Sequence, residues 1–139
     1  MTRLGLLAGV LLLSLGAAGP RAMAADEGSA APAGPIYVDL APLVLPVIQG
    51  DKVQQVLQFT ITMEVADEKA AQHISDIKPR LTDAYIQDLY GALEKRQLMD
   101  GKMLDVGRLR DELTRISVGV LGENGFRAIL IQRVSQRMM

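Results

Sequence analysis

Apolar and polar residues alternate over residues 57–65, and the rest of the chain is organised around this stretch. The apolar parity consists of Leu57, Phe59, Ile61, Met63 and Val65, and the polar parity consists of Gln58, Thr60, Thr62 and Glu64. A period of two predicts a β-strand with one buried face and one polar face. The alternation stops before Asp67, a residue type that caps helix N-termini, so a helix is predicted to follow the strand.

Residues 36–48, which precede this strand, are rich in strand-forming residues but contain Pro42 and Pro46. Proline has no backbone N–H to give to a neighbouring strand, so the segment is predicted to be an edge strand or a bent one. Residues 49–52 have the composition of a hairpin turn. The sequence therefore predicts that this segment and the long strand are antiparallel neighbours.

Residues 67–121 are predicted to form three helical segments. Apolar residues recur every three or four positions between residues 67 and 97. Pro79 lies within that run and is predicted to kink or divide the helix near Lys78. Residues 98–102 are predicted to be a loop closed by Gly101, and a further helix to run from residue 105 to residue 121. Gly122 would end that helix in the left-handed conformation.

The closing strand is predicted at residues 126–136, after the turn signal Asn124-Gly125. Ile129 and Ile131 have the opposite parity to Leu130, so the middle of the strand is apolar on both faces. Such a strand is expected to lie between two others or to face a partner subunit.

A basic segment coincides with this closing strand. No acidic residue follows Glu123, whereas Arg127, Arg133 and Arg137 do, which leaves a local charge of +3. These arginines are the candidate partner-binding residues. The alternative interpretation is an ordinary solvated face.

These elements predict an α+β domain over residues 36–139, with a small antiparallel or mixed sheet packed against three helical segments. Apolar residues make up 49% of the chain and aromatic residues 4%, so the core is expected to be aliphatic. The predicted core residues are Leu57, Phe59, Ile61, Met63, Leu81, Leu89, Leu109, Leu113 and Ile116.

Residues 1–24 are interpreted as a signal peptide, with a short membrane anchor as the alternative. Arg3 precedes an apolar run over residues 4–18, and Ala22 and Ala24 form an A-x-A cleavage site that would leave Ala25 as the first mature residue. A membrane-spanning helix needs roughly 20 apolar residues, which is more than this run supplies. Residues 25–35 are small, polar and proline-containing, so they are predicted to be a flexible linker. The domain is therefore expected to be exported.

Composition and motifs limit the kinds of functional site that the chain can contain. The chain has no cysteine, which excludes disulfides, thiol catalysis and a lipoprotein anchor. It has 15 basic and 16 acidic side chains, without the basic excess of a nucleic-acid binder. His73 is the single histidine, expected on the polar side of a helix, and no metal, P-loop, dinucleotide or G-x-S-x-G motif occurs. We expect a non-enzymatic protein without cofactor or metal. A small hydrolase is the enzymatic alternative, and it would require a deep polar cleft.

The order of motifs resembles the C-terminal domain of the FliL family of flagellar basal-body proteins. The resemblance covers residues 36–136. It begins with Tyr37-Val38-x-Leu40-x-Pro42-Leu43, continues after a turn with Thr60-Ile61-Thr62-Met63-Glu64-Val65-Ala66-Asp67-Glu68, and includes the helix break Ile77-Lys78-Pro79-Arg80. It ends with an amphipathic helix around Leu109-Arg110-Asp111-Glu112-Leu113 and a final strand that closes on Gln136.

The resemblance implies a periplasmic domain at the inner membrane with a fold similar to the stomatin/band-7 (SPFH) domain. It also implies a ring of copies around the stator units of the flagellar motor, which supports torque and swimming by binding. The chain departs from the family pattern in its short N-terminal apolar run and in the basic residue Arg133. The alternative function is a periplasmic adaptor or chaperone-like binding domain without a flagellar role.

Overall fold

The computed structural model describes residues 34–139, which contain six strands and two helices. The strands are β1 (Ile36–Asp39), β2 (Leu43–Gln49), β3 (Lys52–Val65), β4 (Met99–Asp100), β5 (Met103–Leu104) and β6 (Ala128–Met138), and the helices are α1 (Glu68–Glu94) and α2 (Val106–Leu121). The predicted signal segment, the cleavage residues Ala22, Ala24 and Ala25, and most of the predicted linker lie outside the described residues.

β3 is the central strand of a four-stranded antiparallel sheet. β1 pairs with the last residues of β3 and β2 pairs with its first part, while β6 pairs with residues 55–64 of β3. Since a strand has only two edges, β1 and β2 share one edge of β3 and β6 occupies the other. The predicted α+β class is thus confirmed, and the sheet is antiparallel.

The predicted long strand is confirmed, and β3 extends it to fourteen residues. The predicted hairpin is confirmed too, because β2 and β3 are antiparallel neighbours joined at Gly50, whose φ of 62° suits glycine. β1 and β2 pair with β3 alone, as expected for edge segments interrupted by proline.

Two helices are present among the described residues, so the prediction of three helical segments is wrong. α1 runs unbroken through Pro79 for 27 residues. Pro79 is solvent-exposed, while Ile74 and Leu81 on either side of it are fully buried. Their burial offsets the backbone hydrogen bond that proline removes. Across residues 34–139, no helix combines the length and the apolar character needed to cross a membrane.

Side-chain caps begin both helices. Asp67 Oδ1 accepts a hydrogen bond from the Ala70 N–H at 2.8 Å, which confirms the predicted helix start. Asp105 Oδ1 accepts from the Arg108 N–H at 3.0 Å in the same way. Gly122, which follows α2, has φ 81° and ψ 168°. Its φ is positive as predicted, but its ψ lies outside the left-handed helical region.

α1 ends in a Schellman motif built on an arginine. The N–H of Arg96 donates to the Leu93 carbonyl at 3.0 Å and the N–H of Gln97 donates to the Ala92 carbonyl at 2.9 Å. Arg96 has φ 58°, a conformation usually taken by glycine at this position. Its guanidinium donates to the Gly101 carbonyl at 2.5 Å, so the same residue ties the helix end to the next turn.

The predicted loop at residues 98–102 forms part of the small hairpin β4–β5. Gln136 of β6 holds this hairpin against the sheet, because its side-chain amide donates to the Lys102 carbonyl at 2.5 Å and to the Gln55 side-chain oxygen. Its own oxygen accepts from the Leu104 N–H at 3.2 Å. The loop prediction missed the hairpin because four strand residues carry no readable alternation and their fixing partner lies 32 residues away.

All nine predicted core residues are buried. α1 contacts β1, β2, β3 and α2, and α2 contacts β6, so both helices cover one face of the sheet. Between the helices, the Tyr85 hydroxyl lies 2.5 Å from Ser117 Oγ, and Ser117 Oγ donates to the Leu113 carbonyl at 2.6 Å. Because serine has one proton to give, Tyr85 is the donor in the first contact. Burial raises the pKa of Tyr85 to about 12.

Replacing Phe59, which is 1% exposed, tests the core. We expect Phe59→Ala to lower the free energy of unfolding by about 3–5 kcal/mol, because it removes buried area and leaves a cavity. Gln58→Ala, one residue away on the exposed face of β3, is the matched control and should change the free energy of unfolding by less than about 0.5 kcal/mol. Urea denaturation measures both. Similar losses for the two variants would contradict the assigned faces of β3.

Stability at alkaline pH tests the Tyr85 environment. The folded state holds this proton more tightly than the ordinary pKa of 10.0, so the contribution to stability is complete below pH 10 and lost as pH rises towards about 12. A rise of the Tyr85 pKa from 10.0 to about 12 corresponds to about 2–3 kcal/mol. Tyr85→Phe should remove this part of the pH dependence. The measurement is the free energy of unfolding of both proteins between pH 9 and 12, and parallel curves would contradict the prediction.

Candidate functional site

The two faces of the sheet have different environments. The face carrying Leu57, Phe59 and Ile61 is buried under the helices. Directly opposed residues of neighbouring strands share a face, so the registers assign every other strand residue to the second face. No helix covers that second face within residues 34–139, and we call it the open face. Its residues are Tyr37, Asp39, Val44, Pro46, Val56, Gln58, Thr60, Thr62, Glu64, Ala128, Leu130, Arg133, Ser135 and Arg137.

A bulge in β6 decides which of its residues reach the open face. Ile131 pairs with Ile61 and Arg133 pairs with Thr60, so Gln132 is an extra residue without a partner. The bulge reverses the parity of β6. Ile129 and Ile131 before it and Val134 after it therefore all lie on the helix side, although their positions differ in parity. The middle of the strand is apolar on both faces, as the sequence predicted, because Leu130 lies on the open face.

The structure places two of the three candidate arginines on the same face of the sheet. Arg133 and Arg137 both lie on the open face, opposite Thr60 and Val56 of β3. Arg127 precedes β6, and its N–H donates to the Glu64 carbonyl at 2.7 Å. All three arginines are exposed, and within residues 34–139 none takes part in an ion pair. The ends of Arg133 and Arg137 are thus available to an outside group.

Exposed apolar side chains lie on the same open face. Tyr37 is 51% exposed and Val44 is 57% exposed. Both belong to the β1–β2 side of the sheet, whereas Arg133 and Arg137 belong to the β6 side. An exposed aromatic residue and an arginine pair are typical of protein-binding surfaces, where these residue types are enriched.

One hydrogen bond fixes the middle of the open face. Thr62 Oγ1 donates to Asp39 Oδ1 at 2.6 Å and Thr62 is buried, although its parity predicted an exposed polar residue. Leu130 pairs with Thr62 from the other side and helps to cover it. The bond holds the short strand β1 in place, so Asp39 has a structural role.

Metal-ligand groups, histidine and the linings of cavities are the places where catalytic chemistry would be sought. Residues 34–139 contain no group of three or more His, Cys, Asp or Glu side chains placed to hold a metal ion. His73 lies exposed on α1, as predicted. Two neighbouring cavities of about 380 and 230 Å³ lie beside the β2–β3 hairpin and share Val47, Gln49 and Arg96. Their linings contain neither histidine nor serine.

Arg115 forms one ion pair within α2 and one between α2 and α1. Arg115 contacts Glu112 at 2.5 Å on its own helix and Asp88 of α1 at 3.4 Å. The Arg115 hydrogen bond lowers the pKa of Glu112, against a smaller effect of burial. Arg115 and Asp88 are exposed and Glu112 is half-buried, so the pairs add little to stability.

The exposed apolar residues and the edge of β6 were missed by sequence reasoning. Tyr37 and Val44 belong to strands whose register the sequence does not show, so the face that they occupy could not be predicted. The signal that would have located the bulge was the change of apolar parity between Ile131 and Val134, with Gln132 between them.

Alanine substitution tests whether Arg133 and Arg137 contribute to the stability of the domain. Arg133→Ala with Arg137→Ala should change the free energy of unfolding by less than about 1 kcal/mol in total, because exposed side chains without ion pairs contribute little. Urea denaturation of the double variant checks this. A larger loss would show that these side chains pack within the domain and would remove them as candidates for partner binding.

The comparisons with known proteins leave the function to be argued from this geometry. No family model matches the chain, and no curated protein matches it. The FliL resemblance over residues 36–136 therefore stays a prediction.

Proposed function

We propose that this chain is a non-enzymatic accessory protein of the flagellar motor, similar to FliL. It is exported to the periplasm and works near the inner membrane, where it associates with stator units and other basal-body proteins and supports torque and swimming. The observation that carries the proposal is the open face, which has exposed Tyr37 and Val44 on one side and Arg133 and Arg137 on the other.

The use of buried polar groups supports binding over catalysis. Gln55, Thr62 and Ser117 are the buried polar residues of the described chain. Gln55 bonds Gln136, Thr62 bonds Asp39 and Ser117 bonds Tyr85, so each fastens one element to another. Within residues 34–139 no buried side-chain nitrogen or oxygen lacks a hydrogen-bond partner. Catalysis relies on polar groups held ready for substrate, and these groups are already engaged.

The order of elements supports the family part of the proposal. Edge strands, a long central strand, a helix containing Pro79, an amphipathic helix and a closing strand follow one another as the FliL resemblance implies. The chain differs in that the first two helical segments are one continuous helix. We propose that the domain is similar to the stomatin/band-7 domain, as in that family.

The proposal includes self-association into a ring. Rings arise from head-to-tail contacts between two different patches of each copy, and closure of the rotation sets the number of subunits. Sedimentation velocity of the mature protein over a range of concentrations tests this part separately from the motor role.

An in-frame deletion tests the motor role. We expect the mutant to carry a normal number of flagella and to swim poorly in soft agar, because the proposed protein acts on the motor after the filament is built. Flagella are counted on the same cells by electron microscopy. Normal swimming with normal flagella would contradict the motor role and favour the adaptor function.

Complementation of the deletion tests whether the open face is the surface that supports swimming. The double variant Arg133→Ala, Arg137→Ala should restore swimming less well than the wild type. Arg80→Ala with Arg110→Ala, two exposed arginines on the helices, is the matched control and should restore it fully. Equal swimming of the two double variants would contradict the role of the open face.

A further inference from the structure

The outer edge of β6 has no partner strand among the described residues. β6 pairs with β3 alone and is eleven residues long. From residue 132 to residue 138, every residue is exposed except Gln136, which is half-buried. A strand edge of this length exposes a row of unpaired N–H and C=O groups.

The opposite edge of the sheet is much less suited to pairing. β1 has only four residues, and β2 contains Pro46, which has no N–H to donate. β6 contains no proline. It is therefore the better edge of the four-stranded sheet for an added strand.

The backbone hydrogen bonds identify which residues of β6 face outward. The Met139 N–H donates to the Gln54 carbonyl at 3.0 Å, and the register continues with Met138 opposite Gln55. In an antiparallel ladder, hydrogen-bonded and non-hydrogen-bonded pairs alternate. The N–H and C=O groups of Val134, Gln136 and Met138 consequently point away from β3 towards the empty edge.

The helix layer leaves the side chains along this edge partly uncovered. Val134 pairs with Phe59, yet Val134 is 37% exposed while Phe59 is 1% exposed, and Met138 is 53% exposed. These apolar side chains lie on the helix side of β6. An added strand with apolar residues on that side would bury them.

The positive charge of β6 on the open face determines which side chains an added strand should carry on that face. Arg133 and Arg137 lie on the open face of β6, two residues either side of Ser135, and no acidic residue occurs in β6. Side chains next to them on an added strand would be neighbours at cross-strand distance, where opposite charges attract and like charges repel. Pairing of β6 with β6 of a second copy would supply no acidic side chain to Arg133 and Arg137.

We propose that the edge of β6 binds an extended segment of a partner protein in which acidic and apolar residues alternate. The segment adds a fifth strand to the sheet, its acidic side chains next to Arg133 and Arg137 and its apolar side chains next to Val134 and Met138. This inference rests on the proposed function, since it names the kind of partner segment that the binding domain takes.

Peptide titration of the mature protein tests the proposal. The probe is an acetylated, amidated peptide of about eight residues with alternating valine and glutamate, which matches the length of an ordinary strand. The control peptide has lysine in place of glutamate. We expect the glutamate peptide to bind at least about tenfold more tightly than the lysine peptide, and isothermal titration calorimetry measures both. Equal binding, or no binding of the glutamate peptide, would overturn the proposal.

A charge exchange controls for the integrity of the protein. Arg133→Glu with Arg137→Glu should reverse the preference, so that the lysine peptide binds more tightly than the glutamate peptide. A reversed preference also shows that the variant is folded and its edge intact. An unchanged preference would show that the charges act elsewhere and would overturn the assignment to β6.

Amide hydrogen exchange by NMR distinguishes strand addition from docking on the surface. The amides of Val134, Gln136 and Met138 should become protected when the glutamate peptide binds, while those of Ser135 and Arg137 should change little. Peptides methylated at alternate backbone nitrogens provide the second check, because only one of the two sets should lose binding. Unchanged exchange would overturn strand addition, and protection that rises with protein concentration alone would assign the edge to a second copy and overturn the partner segment.

These measurements use purified protein, so they are independent of the swimming assay. Failure of the titration leaves the motor role standing if the deletion mutant swims poorly. Normal swimming of the deletion mutant contradicts the motor role and leaves the titration result unaffected.

Discussion

The fold depends on the pairing of β3 along both of its edges. Its apolar side chains face the helices, its first part pairs with β2, its last part pairs with β1, and β6 runs along most of the opposite edge. β3 supplies the backbone hydrogen-bond partners of the three other strands in this sheet. The two helices cover the apolar face of the sheet. The result is a two-layer domain with one buried face and one open face.

Local patterns were sufficient for most of the elements. The alternation around Phe59 identified the central strand, and the capping residue Asp67 placed the start of α1. The features that were missed depend on distant partners. Whether Pro79 divides a helix is decided by the burial of Ile74 and Leu81 against the rest of the domain, and local propensity does not contain that information.

The candidate site was only partly readable from the sequence for the same reason. The arginines of the closing strand were visible as a charge pattern, but the face that they occupy depends on the unpaired residue Gln132. Without the register, the difference in parity between Ile131 and Val134 would place them on opposite sides of the sheet. A single inserted residue thus determines which side chains of β6 belong to the core and which reach solvent.

The pairing of β6 with β3 has a consequence for the time at which the domain can form. Gln55 at one end of this pairing is 83 residues before Met138, and β6 occupies the last described part of the chain. Forming contacts this distant in sequence requires the loss of chain entropy that comes with closing a long loop. The central strand therefore lacks its second neighbour until β6 has been synthesised, so the four-stranded sheet cannot be completed before that point.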